Sequence, residues 1–206
     1  MNHWTKVQWQ AADPRVSNGC ASNAWKTMIS RDITLRDGRV LHVRDSSLAD
    51  EAELLQKFGR MSENDRYMRL MRVVRTPNME YARSLLASLP QAGIGLVATV
   101  PAADGIDIVG SALAVFAKDR PSCEFATAVD AGYAGAGLAS ALMRLLMAEA
   151  RRRGMQEMEG FVLSQNQPML RLARRLGFSA SYDPDDASVR ICRKSLDEEI
   201  TPTGPA

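Results

Sequence analysis

The chain has 206 residues, of which 46% are apolar, 24% charged and 6% aromatic. That is enough for one domain with a buried core and no disulfide or metal staples. The 26 basic residues against 24 acidic ones leave a net charge of +2, which gives no electrostatic case for a nucleic-acid partner. The longest uncharged apolar-rich stretch, 92–103, is broken by Pro101 and too short to span a bilayer, so no membrane partner is expected.

Three cysteines, Cys20, Cys123 and Cys192, are odd in number and far apart. They predict a reducing, cytoplasmic setting and neither a disulfide framework nor a zinc knuckle. His3 and His42 have no metal-ligand spacing and support no His-based triad. A metal-free protein is expected.

Residues 1–31 predict a flexible arm. All three tryptophans (Trp4, Trp9, Trp25) lie there among polar residues without helical or strand periodicity. The arm has no apolar run of secretory type. Its tryptophans are either solvated or docked on an apolar groove of the domain. Residues 32–196 predict the folded domain, and 197–206, with Pro202, Gly204 and Pro205, a tail.

Within the domain the pattern is mixed α and β. Residues 40–44 alternate like a strand after the Asp37-Gly38 turn. Helical spacing runs through 48–58, a second helix opens at Ser62 with Tyr67, Leu70 and Met71 on one face, and Asn78 can cap a third. Strands are predicted over 94–100, 106–116 and 123–129. A long helix follows over 138–153, with Leu138, Ala141, Leu142, Leu145 and Leu146 as its apolar stripe and Gly154 as its stop. A strand over 158–163, a helix capped by Asn166 with Pro168 in its first turn, and a hairpin from 178–182 to 187–194 complete the chain.

The informative segment is the strand–turn–helix of 122–153. Its turn reads Gly132-Tyr133-Ala134-Gly135-Ala136-Gly137-Leu138-Ala139. Small residues there leave the first amides of the helix uncovered. Free N–H groups at the positive end of a helix dipole make a phosphate site. A Walker loop is excluded because no Gly-Lys-Ser/Thr follows, and the glycine spacing does not fit a dinucleotide-binding Rossmann turn.

Residues 129–139 with the helix behind them, and Asn166-Gln167-Pro168-Met169-Leu170 running to Leu176-Gly177-Phe178, resemble the GCN5-related N-acetyltransferases. Arg36-Asp37-Gly38-Arg39-Val40 leading to Arg44, Met61-Ser62-Glu63-Asn64-Asp65-Arg66-Tyr67-Met68-Arg69, and Glu124-Phe125-Ala126 are similar in order to the bacterial Pat-type protein lysine acetyltransferase domains. The resemblance covers about 40–194. It implies the acyl-CoA N-acyltransferase fold, a mixed, mostly antiparallel sheet flanked by helices with one V-shaped opening.

It further implies acetyl-CoA as cosubstrate, held by Val129, Gly135, Ala136, Gly137, Leu138, Ala139 and Ser140, with the pantetheine arm between two splayed strands. Asn166 would lie near the cofactor or serve as a helix cap, two compatible roles. One residue departs from the family pattern. The Gln or Arg that opens the phosphate-loop signature is Ala134 here, which predicts weakened or rearranged CoA binding. The first-strand Arg-Pro of relatives is Arg44-Asp45.

Acetyl transfer needs a neutral amine, a polarised thioester and a protonated leaving thiolate. On an alternating strand Glu124 shares a face with Ala126 and Ala128, where small apolar neighbours would raise its pKa. It is the predicted general base, matching the glutamate so assigned in Pat-type relatives; a solvated or salt-bridged strand glutamate is the alternative. The tyrosine that protonates the thiolate in many relatives is Ala173 here. Direct transfer in a ternary complex is expected, rather than an acyl-enzyme on Cys123. The predicted function is N-acetylation of protein lysines. A small-amine acetyltransferase and a non-catalytic acyl-CoA-binding module are the alternatives.

Overall fold

The computed structural model of the chain describes residues 28–70, 78–89, 91–103 and 105–197. The elements run in the order β1 (Ser30–Thr34), β2 (Val40–Asp45), α1 (Glu51–Arg60), α2 (Glu63–Leu70), α3 (Met79–Ser88), β3 (Gly93–Ala102), β4 (Gly105–Phe116), β5 (Ser122–Val129), α4 (Leu138–Arg152), β6 (Glu157–Leu163), α5 (Gln167–Arg175), β7 (Ser179–Tyr182) and β8 (Val189–Ser195). The strands form one sheet, ordered β1-β2-β3-β4-β5-β6-β8-β7. All neighbours are antiparallel except β5 and β6. This is the mixed, mostly antiparallel α/β architecture predicted.

Strand β1 was not foreseen, and the folded chain begins before residue 32. Ile29 is buried in the core, its N–H donates to the Asp45 carboxylate at 3.0 Å, and Asp45 N–H donates to the Ile29 carbonyl at 3.0 Å. A proline at 45 would have no N–H to give, so the departure from the Arg-Pro pattern is matched by this clasp. The three tryptophans, Met71 and the tail beyond 197 lie outside the described residues.

Helix α4 is the centre of the core. Its buried residues are Leu138, Leu142, Met143, Leu146, Met147, Glu149 and Ala150. The stripe is rotated from the one read in the sequence. Met143 and Met147 are buried, whereas Ala141 and Leu145 are only partly covered. Leu138 and Leu142 seat on Gly110 of β4, where an added Cβ would come within 2.9 Å of Leu138. Glu149 tolerates burial because Arg152 and Arg153 each reach it at 2.7 Å.

The feature that positions the site is a fork between β5 and β6. Parallel pairing covers Ser122↔Glu157, Cys123↔Met158 and Glu124↔Glu159, and then stops. At the next step the Phe125 ring lies over Gly160, where a Cβ would meet ring carbons at 2.5 Å, and packs edge-on against Phe178 at 5.1 Å. Only glycine at 160 admits that ring, and the strands diverge beyond it.

Candidate functional site

The fork opens into a cavity of about 790 Å³, within the usual range for a bound small molecule. Its walls include Glu124, Val129, Gly135, Gly137, Leu138, Ala139, Ser140 and Asn166. The predicted site residues therefore converge, with one correction. Ala136 does not line the cavity. Its side chain is buried in the core, its N–H donates to the Tyr133 carbonyl at 3.3 Å, and its carbonyl accepts from Arg36 N–H at 3.1 Å. It shapes the turn from behind.

The turn presents α4 bare-ended to the cavity. Gly135 and Gly137 take φ of +78° and +97°, which favours glycine at both. Gly137 is the N-cap and no side chain caps the helix. The amides of its first turn consequently face outward with the dipole behind them. Asn166 caps α5, its Oδ1 accepting from Met169 N–H at 3.2 Å.

The β1–β2 turn brings a positive charge to the glycine turn. Arg36 lies along Gly137, whose added Cβ would be 3.6 Å from Arg36 Cγ and 3.7 Å from its Nε. Its side chain lines the cavity, and among the described residues its guanidinium has no hydrogen-bond or ion-pair partner. Arg39 anchors this turn by donating to the Gly132 carbonyl at 3.0 Å and covering the Tyr133 ring at 4.1 Å. Sequence reading missed Arg36, because 100 residues separate it from the loop it completes. On α5, Arg171 and Arg175 also line the cavity.

Glu124 stands at the fork. Among the described residues its carboxylate has no hydrogen-bond or ion-pair partner. Burial pushes it up to about 7, and the nearby Glu159 carboxylate adds to the shift. Glu159 itself is held by Arg120 at 2.8 Å and Arg193 at 3.1 Å. Glu124 is therefore not the salt-bridged strand glutamate of the alternative reading.

Cys123, one residue earlier, points into the core. Its thiol lies 3.7 Å from the Glu157 carbonyl, and burial pushes it up to about 12. A thiol so placed offers no nucleophile to the cavity. Ala173 is buried. Among the described residues no cluster of His, Cys, Asp or Glu could hold a metal ion, and no helix is long and apolar enough to cross a membrane.

The sequence model of the acetyltransferase (GNAT) family matches residues 64–178, more than half of the chain. The chain belongs to the GNAT family. The GNAT chain is 29% identical over 163 residues to acetyltransferase PA5475 of Pseudomonas aeruginosa, covering 79% of this chain and 88% of that one. In fold it is similar to the GNAT domain of Streptomyces lividans PAT, with a TM-score of 0.73 and 21% identity over 85% of this chain and 99% of that one. It is also similar to yncA of Salmonella typhimurium, solved with its cofactor acetyl-CoA: TM-score 0.57, 22% identity, 80% of this chain and 99% of that one.

Membership makes acetyl-CoA the cosubstrate, and the residues fit it. The uncapped amides of Gly137 to Ser140 and the cavity-facing Arg36, Arg171 and Arg175 suit phosphate. The β5 edge left unpaired beyond Glu124 offers backbone groups to an extended arm. What acetyl-CoA supplies is an activated acetyl thioester.

Proposed function

We propose that this GNAT acetyltransferase N-acetylates lysine side chains of proteins, with Glu124 as general base. The observation that carries the reading is Glu124 itself: an unpartnered carboxyl at the fork, raised to about 7. An ammonium must lose its proton before it can attack, and a base with that pKa is half-ionised near neutrality. Neutral Cys123 in the core leaves direct transfer between two bound substrates as the supported route. The leaving thiolate takes its proton from solvent, since Ala173 offers none.

The lysine reading is supported by the ordered motif matches on α2 and β5, not by a contact to an acceptor. It is tested by initial rates with labelled acetyl-CoA over a panel of proteins and small amines. Incorporation into protein lysines is expected, and transfer confined to small amines would overturn it. We place the reaction in the cytoplasm, a reading supported by the buried, free thiols of Cys123 and Cys192.

Arg36 supplies the positive side chain that Ala134 lacks. Arg36→Ala should weaken acetyl-CoA binding about tenfold in a calorimetric titration at low ionic strength. The loss should shrink with added salt, because the guanidinium is exposed. Unchanged affinity at low salt would remove Arg36 from the phosphate site.

A further inference from the structure

The cavity is lined from both faces of β5, and the face away from α4 carries a charge that the reaction so far does not use. Gly110 points its missing side chain at Leu138 and Leu142, so Ser111, its neighbour on β4, points the other way. Ser111 pairs with Ala128, Leu113 with Ala126 and Val115 with Glu124. Glu124, Ala126, Ala128 and Ser111 therefore share the face opposite α4, which α2 covers by packing across β5 and β6.

Arg69, in the last turn of α2, lines the cavity there and reaches Ser111 Oγ at 3.5 Å. Two other cations lie close by. Lys57 is paired with Asp130, and Arg60 with Glu53 at 3.0 Å and Asp107 at 3.1 Å. Arg69 has no carboxylate partner among the described residues. Asp65, one turn earlier and also on the cavity wall, is engaged by Ser62, whose hydroxyl donates to it at 2.7 Å.

A half-hidden guanidinium stays charged and wants an anion. The phosphate cradle cannot supply one, because it opens at the N-terminus of α4 on the other face. The remaining source is the acceptor, which must approach Glu124 from the side that α2 covers. Ala126 and Ala128, small residues on the cavity wall, lie between the two groups on that face.

We propose that Arg69 is an acceptor-recognition residue: it binds a carboxylate carried by the acceptor, on the order of 10 Å from the amine delivered to Glu124, four strand residues away. The inference rests on the acetyltransferase reading above and specifies the acceptor as a lysine amine accompanied by a carboxylate. That carboxylate is either an acidic residue near the lysine or the free α-carboxylate of an amino acid. The planar fork of arginine suits two-point binding of such a group.

The test compares matched acceptors in initial-rate assays with saturating acetyl-CoA. One pair is a capped, amidated peptide with glutamates flanking its lysine against the same peptide with glutamines; the other is free lysine against 1,5-diaminopentane. Preference in the first pair identifies a side-chain carboxylate, and preference in the second alone an amino acid. Wild type should favour the carboxylate-bearing member by about tenfold in kcat/KM, chiefly through KM. Arg69→Gln should abolish the preference and keep acetyl-CoA affinity within about twofold, and Arg69→Lys should restore part of it.

Equal kcat/KM within both pairs for wild type overturns this inference and leaves the acetyltransferase standing. So does an Arg69→Gln variant that loses acetyl-CoA affinity while keeping the acceptor preference. Acetyl-CoA binding with transfer to none of the four acceptors overturns the lysine reading and this one with it.

Discussion

Glu124→Gln lowers turnover by about 10²-fold or more, the usual scale for removing a general base, and leaves acetyl-CoA affinity near that of wild type. Glutamine keeps the shape and the polar tip of the side chain but accepts no proton. Because burial and Glu159 hold the wild-type carboxyl at about 7, kcat/KM should rise with pH through a midpoint near that value. The variant's residual rate should lose that midpoint. A wild-type rate in the glutamine variant would overturn the assignment.

The same substitution has a stability signature of known sign. The unfolded carboxyl releases its proton near 4.5 and the folded one near about 7, so between these values the native state binds more protons. Stability from this group is present below 4.5 and falls as the pH rises to 7, by up to about 3 kcal/mol for such a shift. Glu124→Gln removes that cost. It should melt higher than wild type at pH 8, and the two should converge at pH 4.5. A gap that is constant with pH would mean that the carboxyl titrates at its ordinary value.

Gly137→Asp should weaken acetyl-CoA binding by about 10²-fold, measured by calorimetric titration. A carboxylate within several ångströms of a phosphate costs a few kcal/mol at protein-like screening. Two further effects act in the same direction. The φ of +97° at this position strains any side chain, and the new carboxylate would lie against Arg36, at 3.6–3.8 Å from Cβ to its side-chain atoms, and neutralise it. Gly137→Ala separates strain from charge and should lose only severalfold. Unimpaired binding by the aspartate variant would put the phosphate cradle elsewhere.

Much of this site was legible along the chain because its parts are local. The glycines at 135 and 137 announce an uncapped helix start, and Glu124 on an alternating strand announces a carboxyl among small neighbours. Asn166 with Pro168 announces a capped helix. Each inference joins residues within a turn or two of one another, where spacing translates directly into direction. The apolar stripe of α4 was less legible. Methionine suits both surface and core, so only the packing partners decide that Met143 and Met147 face inward.

The class of fold, an uncapped glycine turn at a helix start and a strand carboxyl among small neighbours are all legible in the sequence alone, since these depend on backbone periodicity and on residues close in the chain. The tertiary structure was needed to set Arg36 beside Gly137, to turn Ala136 inward, and to begin the fork where Phe125 overlies Gly160. It alone set Arg69 on the same sheet face as Glu124, 55 residues away along the chain. Charges that meet across a sheet obey the register of distant strands, and a single chain's local pattern carries no record of which distant residue completes the pair.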